Sequence, residues 1–232
     1  MIPHVASSTS TATAAIRLAS ARQGIDFNYL LNQAKTESGL DPEAAAPTSS
    51  ARGLFQFTAG TWLETIRRHG REHGLGKAAA ALDGAVDPAT RAAILDLRRD
   101  PFASADMAAS YAADNAAKLS TGLGRTATAT DLYLAHFLGA AGALRFLKAE
   151  PSTPASATNP ATARANPRIF FAADGSPRSV EQVHDHFAAI FGGKPVPATG
   201  TALPVPRQPA LQIAAAPDAA RMAYLLLAEL SA

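Results

Sequence analysis

The sequence predicts an all-α fold. Three observations carry that reading. Apolar residues recur at helical spacing, as at Phe27, Leu30, Leu31 and Ala34. No stretch before residue 150 sustains the alternation of a half-buried strand. Helix starts are marked by an N-cap followed by proline, at Asp87-Pro88 and Asp100-Pro101. Hydrophobic residues make up 47% of the chain and charged ones 17%, which suits a folded core and argues against global disorder. Much of the apolar fraction is alanine, which favours closely packed helices.

Residues 1–10 are rich in Ser and Thr and are expected to be mobile. A first helix is expected from Thr11 to Gln23, stopped by Gly24, with Ile16, Leu18 and Ala19 inward. Asp26 caps a second helix, Gly39 ends it, and Asp41-Pro42 prevents its continuation. Thr61-Trp62-Leu63-Glu64 reads as a capping box opening a third, with Trp62, Leu63 and Ile66 buried and Gly70 at its end. Residues 71–86 form a long Gly/Ala connection. The helix from Pro101 buries Phe102, Ala105, Ala108 or Ala109, Ala112 and Ala116. Thr130-Asp131 opens the next, which Gly139 and Gly142 punctuate.

Residues 151–167 read as a surface connection. A helix capped by Ser179, with Gln182 three on, then buries Val180, Val183, Phe187, Ile190 and Phe191. Those aromatics need burial, which places 168–191 against the same domain. Residues 193–216 are a Pro-rich tether. Asp218 to Leu230 is a last amphipathic helix with Leu226, Leu227 and Leu230 on one face, either docked or self-associating, or binding a partner. The domain reading is therefore a mobile segment 1–10, a domain 11–192 with its core motifs in 26–142 and an accessory segment 168–191, then tether and helix in 193–232.

Composition excludes several functions. A net charge of +2, with no basic cluster interleaved with aromatics, argues against a nucleic-acid partner. The chain has no cysteine, so no disulfide and no thiolate metal site. No run of 18 apolar residues is present to span a membrane. MIPHVASSTSTATAAIRLAS lacks a basic n-region and a continuous apolar h-region, so no Sec signal is expected. His69-Gly70-Arg71-Glu72-His73 spells the H-x-x-E-H zinc motif, but Gly70 and Gly74 make it a solvated helix terminus rather than a rigid ligand face. His184 and His186 are two apart on a helix, cannot share a face, and are expected at the surface. No metal site is expected.

The chemistry centres on Glu37. It is the next position on the Phe27–Ala34 stripe, in the last helical turn, where burial and the helix dipole both disfavour negative charge. That is the condition for a general acid at neutral pH. The alternative is a side chain turned outward at a frayed helix end.

Glu37-Ser38-Gly39-Leu40-Asp41-Pro42, followed by Gly53-Leu54-Phe55-Gln56-Phe57, resembles the paired motifs of the soluble lytic transglycosylase family, which shares the lysozyme-like fold with goose-type lysozymes. The resemblance runs from about Ile16 to Gly142. It implies Glu37 as the catalytic acid, Ser38 as its partner and Gln56 as a substrate contact. It also points to Tyr111, at the end of the segment from Asp100-Pro101, and to His136 in Leu134-Ala135-His136-Phe137-Leu138-Gly139. There the chain departs from the family, with His136 and Phe137 where a tyrosine and an asparagine are usual. One of Phe55, Phe57 and Trp62 is expected to line the groove by Glu37, and Phe55 is taken as a substrate contact.

Glycoside hydrolases usually need two carboxylates. The resemblance implies how one suffices: Glu37 protonates the bond between N-acetylmuramic acid and N-acetylglucosamine, then deprotonates the muramic C6 hydroxyl as a 1,6-anhydro ring closes. No cofactor is required. The nearest rival is a lysozyme- or endolysin-type muramidase in which Asp41, Glu43 or Glu64 positions a water. A rival of another class is a non-catalytic peptidoglycan-binding scaffold. The substrate places the protein in the periplasm or cell wall. Export is expected through a flagellar or type III-like apparatus or by phage-assisted release, with an envelope-machine protein as partner through Leu226, Leu227 and Leu230.

Overall fold

Alanine-rich segments, capping hydroxyls and first-turn prolines build twelve α-helices and two short 3-10 turns among the residues described by the structure, a computed structural model. Those residues are 4–193, with side-chain surroundings from Ser8 onward. Only isolated β-bridges and no strands occur among them, so the protein is all-α as expected. The tether and last helix read from the sequence, including Leu226, Leu227 and Leu230, lie outside the described residues. Contacts divide the chain into two units, one up to Tyr111 and one from Ala112.

The first unit opens with α1, His4–Gln23, which begins seven residues before the expected Thr11. Within its Ser/Thr-rich start, Thr13 Oγ1 donates back to the Thr9 carbonyl at 2.8 Å. Ala12, Ala15, Ile16 and Ala19 are buried. In α2, Phe27–Ser38, the Asp26 side chain accepts from the Tyr29 N–H and Gly39 closes the helix in the left-handed conformation, both as expected. The buried face differs from the expected one. It comprises Tyr29, Leu30, Gln33, Ala34, Glu37 and Ser38, whereas Phe27 and Leu31 are half-exposed. The Arg17 guanidinium lies 4.7 Å from the Phe27 ring centre, giving that ring a surface role.

Helix α3, Ala59–His69, starts two residues before Thr61, and its cap is Thr58, which accepts from the Thr61 N–H. Glu64 is therefore no capping-box partner and instead pairs with Arg67 at 2.8 Å on the surface. Trp62 is enclosed and its indole N–H donates to the Ile94 carbonyl at 2.7 Å. Within the expected Gly/Ala connection the chain forms the 3-10 turn Gly70–His73 and α4, Gly76–Ala81, because Leu75, Ala78 and Ala79 have a buried face to fill. Asp87 caps α5, Pro88–Asp96, and after the 3-10 turn Leu97–Arg99, Asp100 accepts from the Phe102 and Ala103 N–H groups at the start of α6, Pro101–Leu123. Both proline-marked starts were legible. Burial pushes the Asp100 carboxyl above its ordinary range, despite those two donors.

The division between units falls within α6. In the second unit, α7 spans Ala129–Leu138 and α8 Ala140–Leu147. The cap of α7 is Thr128, two residues before the expected Thr130, with Asp131 completing a capping box. The presumed surface connection contains α9, Ala155–Thr158, and α10, Pro160–Ala165. Asn159 explains the ordering: its amide donates to the Gly142 carbonyl at 3.3 Å and its oxygen accepts from Arg145 at 3.0 Å, while Ala155 and Ala163 are buried. A short α11, Pro167–Phe170, precedes α12, Val180–Phe191, whose Ser179/Gln182 capping box is the one expected. Phe187 and Phe191 of α12 pack on Tyr133 of α7, the latter stacked at 4.0 Å.

The Asp131 box gives a stability prediction. Burial alone would raise its carboxyl, but Arg125 and the Thr128 N–H hold it below the ordinary range. A depressed folded value means the contribution is present above the unfolded carboxylate range and lost as pH falls through the folded value. Asp131→Asn is expected to cost about 1 kcal/mol, as loss of a capping partner does. Thermal melts of wild type and variant should differ near pH 7 and converge in strong acid.

Candidate active site

Glu37 sits in the last turn of α2, where the Gly39 stop fixes the chain's exit. It is 0% exposed, so the outward, frayed-end alternative does not hold. Next to it Ser38 joins the two sequence motifs. Its Oγ lies 2.8 Å from both the Ala34 carbonyl in its own helix and the Leu54 carbonyl in the Gly53–Phe57 loop, and its single proton serves one at a time.

That loop is held from three sides. The Gly53 N–H donates to the Ala44 carbonyl, and the Arg52 N–H to that of Phe57. The buried Arg98 guanidinium donates to the Ser50 carbonyl at 2.7 Å and the Phe57 carbonyl at 3.0 Å. Gly53 has a φ of +88°, and a side chain there would overlap the Arg98 carbonyl oxygen. Glycine is required at this point on both counts.

Gln56 has a φ of +47°, rare for a residue with a side chain. Such strain persists only where the surroundings over-determine it. Here the Gln56 N–H donates to the Gly53 carbonyl at 2.7 Å, and its amide Nε2 reaches the Ala44 and Gly53 carbonyls at 3.3 and 3.2 Å. Its Oε1 is buried and has no hydrogen-bond donor among the described residues. The loop thus fixes an amide whose acceptor end is unspent.

The aromatic residues around the loop are inside. Phe55, Phe57 and Trp62 are each 5% exposed or less, so in this structure Phe55 backs the loop from the core. Phe57 meets Trp62 edge-on at 5.2 Å and the half-buried Tyr111 at 6.2 Å. Tyr29 shares this interior: burial first, then the charges of Glu37 and Tyr111, push its phenol above the ordinary range. Glu37, Ser38, Phe55, Gln56 and Tyr111 all belong to the first unit. His136 belongs to the second, half-buried on α7 with its ring 5.8 Å from that of Tyr133.

The chain matches no model of a known protein family.

Other groups singled out by the sequence fall elsewhere. Asp41 is exposed and accepts from the Glu43 N–H, and Glu43 and Glu64 are exposed as well. The H-x-x-E-H stretch changes from α-helix to 3-10 turn between its histidines, and Glu72 faces solvent. His73 is not solvated as expected. Its Nε2 lies 3.0 Å from Gln23 Nε2 and 2.9 Å from Ser110 Oγ, and its Nδ1 is 3.5 Å from the Asp106 carboxylate that Arg22 also binds. That knot ties α1 to α6. No cluster of three metal-ligating groups occurs among the described residues. His186 is exposed and His184 half-exposed.

Sequence reasoning missed Tyr29, Gln33 and Arg98. The first two had a signal, since Tyr29, Gln33 and Glu37 recur every four residues. Arg98 had none that separates it from neighbouring Arg99.

Proposed function

We propose that this protein is a peptidoglycan lytic transglycosylase with a lysozyme-like helical fold, cleaving the bond between N-acetylmuramic acid and N-acetylglucosamine. The observation that carries the reading is the join between motifs: Ser38 beside the enclosed Glu37 is hydrogen-bonded to Leu54 of the loop that presents Gln56. An acid, its neighbour and a fixed amide acceptor are what a glycan bond needs from one side.

In the proposed reaction the Glu37 O–H gives its proton to the glycosidic oxygen as the bond to the muramic C1 breaks. The carbonyl oxygen of the substrate's own N-acetyl group attacks C1 and carries the positive charge. The Glu37 carboxylate then takes the proton of the C6 hydroxyl, O6 attacks C1, and the N-acetyl group is released. The result is a 1,6-anhydromuramic end. No water is consumed, and the enzyme ends in its starting protonation state. The Gln56 Oε1 suits a sugar hydroxyl or amide N–H of the glycan. Since the Glu37 carboxyl is covered, substrate access includes a step that uncovers it.

The hydrolase reading needs a second carboxylate to position water, and the three candidates for it, Asp41, Glu43 and Glu64, are at the surface. This favours the transglycosylase. Peptidoglycan lies outside the cytoplasm, so the proposed place of action is the periplasm or cell wall, with glycan strands as the partner. Digestion of purified sacculi, with mass analysis of the released muropeptides, tests the proposal: anhydro ends support it, and reducing ends alone assign the protein to the muramidases.

A further inference from the structure

Tyr29, Gln33 and Glu37 follow one another on α2 at intervals of four residues, so they rise in one row along the helix. All three are enclosed, with exposures of 2%, 4% and 0%. The two neighbours of this row, Leu30 and Ala34, are apolar and buried. A polar row therefore calls for a reason beyond filling space.

The middle residue is the informative one. Gln33 Oε1 is buried and has no hydrogen-bond donor among the described residues. Buried amide oxygens are normally satisfied, and one that no protein group serves calls for a specific explanation, a catalytic role among them. Residues four apart are neighbours on a helix surface, so Gln33 and Glu37 occupy the same side of α2, one turn apart. A carboxylic acid changes from donor to acceptor when it loses its proton. A primary amide offers an acceptor at one end and two donors at the other.

We propose that Gln33 is a positioning residue for Glu37, accepting the carboxyl O–H through Oε1 while the acid is loaded and donating through Nε2 to the carboxylate once the proton has gone. This rests on the acid–base role proposed for Glu37 and adds to it a residue that neither motif contains. Tyr29 is enclosed at the start of this row, and the charges of Glu37 and Tyr111 add to burial in pushing its phenol up. The Tyr29 phenol stays protonated there, so it adds no charge to the row.

Gln33→Met tests this, because methionine keeps the volume and removes both ends of the amide. The expected result is a kcat lower by roughly 10- to 100-fold with KM within about twofold, the signature of an interaction made in the transition state. Thermal stability should be unchanged or higher, since a buried polar group is replaced by an apolar one. A merely structural Gln33 gives the opposite pattern, a lower Tm with kcat kept, and that result overturns the proposal. A second measurement does not depend on turnover. With glutamate labelled at the side-chain carboxyl carbon, the Glu37 resonance at fixed pH should shift in Gln33→Met, because that carbon reports the hydrogen bonds its oxygens make. An unmoved resonance overturns the proposal. If wild-type protein releases nothing from sacculi, it is the transglycosylase reading that fails, and the resonance still decides the role of Gln33.

Discussion

Glu37→Gln should abolish wall-degrading activity while leaving a folded protein. General acid–base groups contribute about 10²- to 10⁴-fold, and in the proposed reaction one group serves both proton transfers, so the loss belongs at the upper end of that range. The substitution keeps the shape of the side chain and replaces a titratable carboxyl with an amide that neither delivers nor removes the proton. Glu37 is fully enclosed, and an uncharged isostere in that place does not threaten the core. Thermal melts should therefore match wild type within a few degrees, and binding to sacculi should persist. Activity retained in Glu37→Gln would remove the catalytic assignment.

Gly53→Ala should damage both fold and activity. The backbone there has a φ of +88°, and the added methyl group would meet the Arg98 carbonyl oxygen, a backbone atom with little freedom to move. Left-handed backbone costs an L-residue about 1–2 kcal/mol, and forced displacement of packed neighbours typically another 1–3 kcal/mol. A loss of about 2–5 kcal/mol lowers Tm on the order of 10 °C. The displacement also moves the Gly53 carbonyl, which accepts from both the backbone N–H and the side-chain amide of Gln56. Activity per folded molecule should then fall further than the population of folded protein explains. Calorimetry beside turnover measured well below Tm separates the two effects. A Gly53→Ala protein as stable as wild type would show that the loop yields more easily than its contacts suggest.

How legible each part was depends on whether its cause is local. Asp26, Asp87, Asp100 and Ser179 were readable as caps because a capping side chain bonds backbone N–H groups two or three residues away. Thr58 and Thr128 were missed because another threonine follows each closely, and sequence alone does not say which one the packing selects. The two short helices in 155–165 were illegible because Asn159 orders them through Gly142 and Arg145 from an earlier helix. Glu37, Ser38 and Gln56 were singled out as candidates through motif resemblance, and the enclosure of Glu37 was legible through the apolar stripe. The stripe was right at Leu30, Ala34 and Glu37 but was extended to Phe27 and Leu31 on one side instead of Tyr29 and Gln33 on the other, which hid the Tyr29–Gln33–Glu37 row. Phe27 looked like core but serves under Arg17 at the surface, a long-range contact that no periodicity reveals. His73 is the mirror case, a residue read as solvated that a partner helix draws inside through Asp106 and Ser110.

The most direct test is the mass of the muramic end that the purified protein releases from sacculi. If Glu37 hands a proton to the leaving oxygen and then takes one from the C6 hydroxyl, the product closes on itself and is lighter by one water than the hydrolysis product. Wild-type digests should then contain the 1,6-anhydro form, and Glu37→Gln digests should contain neither form above background. Digests in which every muramic end is reducing would contradict the account, because a water, and with it a second positioning group, would then complete the reaction.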